Sequence, residues 1–422
     1  MRFTKKILPN GLRLVVVPMK DSQTVTVMAL VEAGSKYETK NISGISHFLE
    51  HMCFKGTEKR PRAIDISREL DAIGAQYNAF TSQEFTGYFA KSAKQPFGKI
   101  LSVVSDIYLN PTFPAPEIEK EKGVIVEEIN MYRDLPQKHV QDLFLELLYG
   151  AQPAGWNIAG TPDTVRSMAR DDFVAYRAQH YVSGATSMII AGAVSEKEAE
   201  EAALRAFEGM SAGKKHPKTA VVENQNAPAV RVETRKTDQT HFVLGVRAFN
   251  AYDQKLPALK VLAGVLGAGM SSRLFQKMRE ELGICYYVKT DTDALTDHGL
   301  LTVSAGVAPS RAEEAVRAIL AEFARLAREP LADAELNKVK DCLIGNMYLS
   351  LESTDELAEF YGMQEILRKD LKHPDELAAE VAKVTSIEVQ AAAREIFTLE
   401  RLNLAVVGQA PAEARLLELL TL

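Results

Sequence analysis

Two histidines and a glutamate occur together in the stretch His47-Phe48-Leu49-Glu50-His51. On an α-helix, which advances about 100° per residue, His47, Glu50 and His51 point to one side. Two imidazoles spaced four residues apart can chelate a borderline metal ion such as zinc, and a nearby carboxylate can take a proton from a water that the metal activates. The stretch therefore predicts hydrolytic metal chemistry. The alternative is an ordinary helix that happens to carry two histidines, because the stretch itself lacks a third metal ligand.

Two helices must position these groups. The first is expected to be capped by Asn41 or Ser43 and to end near Lys55 and Gly56.

A second helix, expected over Glu117–Arg133, offers the missing ligand. Its apolar stripe consists of Ile118, Ile125, Ile129 and Tyr132. Glu121 and Glu128 fall on or beside that stripe, whereas Glu127 points roughly the opposite way. A carboxylate on a buried face is costly unless it is paired or binds a metal, so Glu121 and Glu128 become candidates. The alternative is that arginine or backbone donors hold both carboxylates.

The length and composition of the chain limit the classes of protein to which it can belong. The chain has 422 residues, which suggests two domains of roughly 200 residues each. Its 50 basic and 56 acidic residues give a formal net charge of −6, which argues against nucleic acid or an anionic membrane as the main partner. The three cysteines form no disulfide or thiolate-zinc pattern. Without a signal-peptide core or a long apolar run, we expect a cytoplasmic protein with no membrane span.

The order of patterns along the chain predicts two similar domains. Short apolar strands flank the turn dipeptide Asn10-Gly11, so the chain opens with a hairpin. Residues 213–228 are rich in glycine, lysine, asparagine and proline, and we interpret them as a linker. We expect one α+β domain at residues 1–212 and another at residues 229–422.

The second half resembles the first but lacks its metal residues. The segment Glu335–Tyr348 echoes Glu117–Asn130 without the two candidate carboxylates. At the place of His47–His51 the second half has Val261–Gly269, which contains no histidine. We expect one domain to bind metal and the other to serve a different purpose.

The stretch His47–His51, followed after 76 residues by Glu128, resembles the inverted zinc-binding motif of the pitrilysin and insulinase metallopeptidases. The segments Phe54–Thr57 and Asn78–Thr81 and the Val124-Ile125 pair match that family too. The size and the repeat are similar to the branch that contains the mitochondrial processing peptidase β-subunit and its bacterial relatives. The resemblance implies two tandem α+β domains, each a mainly antiparallel sheet packed with helices, that form half of a clamshell chamber.

The resemblance also implies roles for individual residues. Zn²⁺, one ion per chain, is expected on His47, His51 and Glu128, with Glu50 as general base. Glu121 is expected beside these ligands as an outer carboxylate.

Substrate-binding residues follow from the same resemblance. Arg279 and Tyr286 stand at the spacing of the residues that grip a substrate carbonyl from the domain without zinc. Their alternative is an exposed helix arginine and a buried strand tyrosine. Asn78, Ala79, Phe80 and Thr81 are expected on an edge strand to which a peptide substrate adds as a further strand.

The resulting expectation is a zinc-dependent endopeptidase that hydrolyses short or unfolded peptides. Because the family builds its chamber from four such domains, we expect a homodimer whose active site is completed in trans by Arg279 and Tyr286. Two alternatives stay open. The chain could be a subunit of a heteromeric processing peptidase that needs a different partner, or a non-catalytic assembly subunit.

Overall fold

A computed structural model describes residues 3–422, which form two compact units. The first unit consists of residues 3–130, 156–219 and 350–373, and the second of residues 131–155, 220–349 and 374–422. This division differs from the contiguous one expected from the sequence, because residues 131–155 belong to the second unit and residues 350–373 to the first. The units change over between residues 219 and 220, inside the segment 213–228, whose described residues contain no helix or strand.

The first unit contains a six-stranded sheet formed by the described residues. Its strands are β1 Thr4–Ile7, β2 Arg13–Pro18, β3 Thr24–Val31, β4 Gln76–Thr81, β5 Thr86–Ala93 and β6 Thr186–Gly192. The spatial order is β1-β2-β6-β3-β5-β4, and neighbours are antiparallel except the parallel pair β2 and β6. The hairpin expected around Asn10-Gly11 is confirmed, since Thr4 pairs with Val16 across β1 and β2. The strand β4 therefore lies at one edge of the sheet.

The second unit repeats this pattern in five strands within the described chain. They are β7 Ala229–Glu233, β8 Thr240–Ala248, β9 Cys285–Ala294, β10 Gly299–Val307 and β11 Asn403–Val407. Their order is β7-β11-β8-β10-β9, with β7 parallel to β11 and the other pairs antiparallel. The edge strand β9 occupies the place that β4 has in the first sheet. The two units confirm the predicted α+β fold class with tandem, mainly antiparallel sheets.

Helices cover these sheets. In chain order they are α1 Ile45–Cys53, α2 Ala63–Asp71, α3 Phe97–Leu109, α4 Ala115–Asp134, α5 Pro136–Tyr149, α6 Pro162–Ser167, α7 Arg170–His180, α8 Glu196–Ala206, α9 Leu256–Gly267, α10 Ala312–Arg328, α11 Asp333–Leu349, α12 Thr354–Leu367, α13 Pro374–Lys383, α14 Ser386–Ile396 and α15 Glu413–Leu419. A π-helix spans Phe275–Glu281, and short 3-10 helices span Ser35–Tyr37, Lys40–Ile42, Pro153–Gly155, Ser183–Ala185, Pro309–Arg311 and Leu399–Arg401. Among these described helices, none is long and apolar enough to cross a membrane.

Packing explains why residues 131–155 belong to the second unit and residues 350–373 to the first. The helix α5 packs against β11 and β8 of the second sheet, whereas α12 packs against β3 and β6 of the first. A methyl group at Gly362 of α12 would lie 2.7 Å from the Leu30 side chain of β3, so this helix crosses the sheet at close range. Periodicity in the sequence predicts an apolar helix face but does not tell which sheet that face covers.

The helix α1 is fixed by its apolar face. Ile45, Phe48, Leu49, Met52 and Cys53 are all buried in the core of the first unit. Phe48 meets the Phe173 ring edge-on, with ring centroids 4.7 Å apart. Burying a large apolar side chain contributes about 1.5–3 kcal/mol, so the buried face determines which side of α1 stays accessible.

Candidate metal centre

The N-terminus of α1 is held by a carboxylate from an upstream segment. The expected caps, Asn41 and Ser43, are wrong, because Gly44 is the N-cap and the helix ends at Cys53 rather than near Lys55. Glu38 accepts hydrogen bonds from the backbone N–H groups of Gly44 at 2.7 Å and Ser46 at 2.9 Å. These are the donors that a capping side chain normally satisfies, so Glu38 replaces the expected cap.

Gly44 allows a tight approach at this helix start. Its φ of +95° is in the left-handed region, and a Cβ atom there would lie 2.5 Å from the carbonyl oxygen of Ala159. The hydroxyl of Ser46 lies 2.7 Å from that of Tyr176, which ties the first turn to α7. The helix that carries the candidate ligands is therefore anchored at its start and along its buried face.

The remaining face of α1 carries His47, Glu50 and His51, all of intermediate exposure. The helix α4 brings Glu128 to them: its Oε2 atom lies 3.7 Å from His47 Nε2 and 3.6 Å from His51 Nε2. One ligand atom from each of these three residues lies within 4.8 Å of the others. The structure thus brings together the three side chains that the sequence predicts as metal ligands.

On α4 the helical-wheel prediction holds for the glutamates and is wrong for one apolar residue. Glu121 is buried, Glu128 is partly buried and Glu127 is exposed. Tyr132, expected in the apolar stripe, is 40% exposed. It lies in the last turn of α4, in the segment that belongs to the second unit.

Two charged residues, Glu121 and Lys55, orient the ring of His51. Its Nδ1 atom lies 2.9 Å from Glu121 Oε1, and Glu121 Oε2 lies 2.5 Å from Lys55 Nζ. A carboxylate on the distal nitrogen fixes the ring orientation and the tautomer, which leaves Nε2 directed toward Glu128. Glu121 therefore lies beside the candidate ligands, in contact with His51. Lys55 was missed, although its position four residues after His51 could have indicated it.

The pKa values of the two histidines are shifted in opposite directions. Burial, together with the nearby His51, lowers the pKa of His47 to about 4, so this imidazole is neutral at physiological pH. Burial also lowers the pKa of His51, but the carboxylates around it outweigh burial and raise that pKa. Burial raises the pKa of Glu121, yet the hydrogen bonds from His51 and Lys55 lower it overall. The surroundings thus favour a proton on His51 and disfavour one on His47.

These residues fit a zinc ion on chemical grounds. Two imidazole nitrogens and one carboxylate oxygen form a three-ligand set found in catalytic zinc centres, in which a fourth position is open to water or substrate. His47 Nδ1 is buried without a hydrogen-bond partner among residues 3–422, so no described group competes to turn its ring away from Glu128.

Glu50 lies beside the candidate ligands and is held by an edge strand. Thr81 Oγ1 donates a hydrogen bond to Glu50 Oε2 at 2.5 Å. Burial raises the pKa of Glu50, while the Thr81 hydrogen bond opposes that rise. The sequence indicated Thr81 as part of a substrate strand but not its contact with Glu50.

The other expected site residues lie on the edge strand of each sheet and, for Arg279, in the π-helix. Asn78, Ala79, Phe80 and Thr81 are the last four residues of β4. In the second unit, Arg279 is in the π-helix and donates a hydrogen bond to the backbone carbonyl of Tyr286 on β9. The Arg279 guanidinium also lies 5.2 Å from the centroid of the Tyr286 ring. The side chain of Tyr286 is 74% exposed, so the alternative of a buried strand tyrosine is wrong.

Two family models match the chain. The model described as Insulinase (Peptidase family M16) matches residues 14–162, and the model described as Peptidase M16 inactive domain matches residues 167–343.

Two relatives that match over most of their length are named zinc proteases. A Bacillus subtilis protein named uncharacterized zinc protease YmxG is 34% identical over 390 residues, which cover 92% of this chain and 94% of that protein. A Streptomyces coelicolor protein, also named an uncharacterized zinc protease, is 33% identical over 407 residues, which cover 95% of this chain and 88% of that protein.

Solved structures show the same fold. A protease from Helicobacter pylori matches with a TM-score of 0.90 and 22% identity, over 96% of this chain and 99% of its own. A chain of complex III2 from Candida albicans matches with a TM-score of 0.85 and 14% identity, over 99% of this chain and 100% of its own.

Proposed function

The chain belongs to the insulinase family, peptidase family M16, and on that premise we propose that it is a zinc-dependent endopeptidase for short or unfolded peptides. The observation that carries this proposal is the convergence of His47, His51 and Glu128 on one point, with the Glu50 carboxylate next to them. Relatives named zinc proteases support the metal and the hydrolytic class. We expect one zinc ion per chain, held by His47, His51 and Glu128.

Each residue at this centre has a distinct task. Bound by His47, His51 and Glu128, zinc would supply a Lewis acid that acidifies a water molecule and polarises the scissile carbonyl. Glu50 accepts the proton of the attacking water and later donates it to the leaving amine. Glu121 holds His51 through Nδ1, and Lys55 balances the charge of Glu121.

The substrate is proposed to bind along β4. This strand pairs only with β5 in the described sheet, so its other edge can take up a further strand, although the Ala79 N–H donates to Asn78 Oδ1 at 2.9 Å. An extended peptide that adds there is recognised mainly through its backbone, which suits unfolded segments of varied sequence. We place Asn78–Thr81 in contact with that peptide.

Arg279 and Tyr286 are proposed to act on the carbonyl or the backbone of a substrate bound to another copy of the chain. Their charge and exposed hydroxyl suit the stabilisation of a developing oxyanion. In a homodimer, each zinc centre then works with the Arg279 and Tyr286 of its neighbour.

Zinc content and cleavage products test the enzyme proposal together. We expect the purified protein to bind one zinc ion and to cut a mixed peptide library at internal bonds, read by mass spectrometry. Glu128→Gln should lose zinc and cleavage, whereas Glu127→Gln, one residue away on the exposed face of α4, should keep both. Cleavage restricted to terminal residues would reject the endopeptidase proposal. Zinc binding without any cleavage would favour the alternative in which a different partner subunit is required.

Mixing two inactive variants tests completion in trans. Glu50→Gln and Tyr286→Phe chains, mixed in equal amounts, should recover about one quarter of wild-type activity, because half of the dimers are mixed and each has one intact site. A mixture of Glu50→Gln and Glu128→Gln is the control, since both changes affect the same centre and no intact site can form. Equal, negligible activity in both mixtures would contradict the dimer proposal.

A further inference from the structure

One hydroxyl group holds the Glu50 side chain. Thr81 Oγ1 donates to Glu50 Oε2 at 2.5 Å, which is the short distance typical of a charge-assisted hydrogen bond. Among residues 3–422, no other group donates a hydrogen bond to this carboxylate. The orientation of Glu50 therefore depends on where Thr81 lies.

The position of Thr81 is itself well fixed. It is the last residue of β4 and pairs with Thr86 of β5. The Thr86 hydroxyl is buried and donates to the Ala33 carbonyl at 2.9 Å. The following turn is closed by a hydrogen bond of 2.8 Å from the Ser82 N–H to the Phe85 carbonyl. Thr81 thus presents its hydroxyl from a rigid point of the sheet.

The strand β4 carries both the Thr81 hydroxyl and the edge to which we propose that the substrate adds. Alternate residues of a strand face opposite sides, and Tyr77 and Ala79 pack against the core that includes α1. Thr81 continues that side and reaches Glu50 on α1. Phe80 points to the other side, where its ring covers Gly87. A peptide added along β4 would therefore lie beside the strand that orients Glu50.

Thr81 fixes only one of the two carboxylate oxygens of Glu50, so the two oxygens can serve different purposes. A glutamate has three rotatable bonds, and an unrestrained carboxylate of intermediate exposure samples several rotamers. With Oε2 engaged by Thr81, Oε1 is the oxygen that stays available to exchange a proton.

We propose that Thr81 is a positioning residue that holds Glu50 so that Oε1 takes the proton of the attacking water and returns it to the leaving amine. This role rests on the proposed peptidase function. The Thr81 hydroxyl touches neither the metal nor the reacting atoms and acts through Glu50, whereas the peptide contact proposed for Thr81 is made by its backbone.

The kinetic test uses three variants and one internally quenched peptide, chosen from a mixed library as the one that the wild type cleaves fastest. Hydrogen bonds to charged groups correspond to a rate effect of about 10- to 150-fold, so Thr81→Val should lower kcat by that factor with little change in KM or zinc affinity. Thr81→Ser retains the hydroxyl and should restore most of the activity. Thr4→Val is the matched control, because Thr4 lies on β1 at the opposite edge of the same sheet and its hydroxyl makes no hydrogen bond within the described chain.

Peptide affinity separates an effect through Glu50 from an effect through the strand. In a Glu50→Gln background, adding Thr81→Val should leave binding of the same quenched peptide unchanged, as measured by fluorescence anisotropy. A loss of affinity, or a rise in KM in place of the fall in kcat, would overturn the proposal and make Thr81 a strand contact only.

A crystallographic readout is independent of catalysis. In metal-free crystals, Glu50 should occupy one rotamer in the wild type and several in Thr81→Val, and an unchanged single rotamer would overturn the proposal. Failure of the peptidase function is a separate result, because it would show as equal cleavage by wild type and Glu50→Gln whatever Thr81 does. Thermal unfolding of each variant confirms that it is folded.

Discussion

The carboxyl group of Glu38 is buried at the N-terminus of α1, with only 4% of the residue exposed. It accepts hydrogen bonds from the backbone N–H groups of Gly44 and Ser46 and from the Ser46 side chain, and no lysine or arginine of residues 3–422 pairs with it. Burial raises the pKa of Glu38 from 4.5 to about 7, and the hydrogen bonds from Ser46 and Gly44 only partly oppose that rise. The folded protein therefore keeps a proton on Glu38 that the unfolded chain releases at lower pH.

The sign of the effect on stability follows from this difference. Between pH 4.5 and pH 7 the folded state binds more protons than the unfolded state, so the free energy of unfolding falls as pH rises through this range. A pKa difference of roughly 2.5 units corresponds to about 3 kcal/mol in total, most of which is lost between pH 5 and pH 8. Glu38→Gln cannot titrate and should lack this component.

Trp156 provides the assay, because it is the only tryptophan in the chain and belongs to the first unit. Urea unfolding followed by tryptophan fluorescence should be measured on metal-free protein, so that pH-dependent zinc binding does not contribute. The difference in unfolding free energy between wild type and Glu38→Gln should change by about 2–3 kcal/mol from pH 5 to pH 8. Glu127→Gln, at an exposed carboxylate of α4, is the control and should follow the wild type. Parallel pH profiles for wild type and Glu38→Gln would refute the reasoning.

Three further predictions concern the same centre. Glu121→Gln should weaken zinc binding by about 10- to 100-fold, since it removes the carboxylate that orients His51, and competition with a chelator of known affinity measures this. Gly44→Ala should destabilise the first unit by at least about 1 kcal/mol, because the added methyl group meets the Ala159 carbonyl and the residue has positive φ; an unchanged urea midpoint would contradict this. Removal of zinc with EDTA should abolish peptide cleavage and added zinc should restore it, whereas activity that persists in metal-free protein would speak against the metal.

Local periodicity accounts for the part of the site that the sequence predicted. The helical repeat on α4 places Glu121 inside, Glu128 at the edge and Glu127 outside, as the structure has them. The four-residue spacing of His47 and His51 likewise places both rings on one face of α1. These predictions succeed because they depend on the geometry of a single helix.

Tertiary contacts account for what the sequence did not predict. Glu38 lies six residues before the N-cap residue Gly44, so neither helical nor strand periodicity predicts that its carboxylate caps α1. Thr81 meets Glu50 only because β4 packs beside α1. The helix α12 belongs to the first unit although residues 220–349 of the second unit precede it in the chain, and no local sequence pattern predicts this return.

The most direct test of the central claim is the cleavage rate of Glu50→Gln at the same zinc content as the wild type. The substitution keeps the size of the side chain and removes its ability to accept a proton, while His47, His51 and Glu128 stay in place. We predict that the variant binds one zinc ion per chain and cleaves the quenched peptide at least about 100-fold more slowly, as expected for loss of a general base. Cleavage by zinc-loaded Glu50→Gln at the wild-type rate would contradict the account.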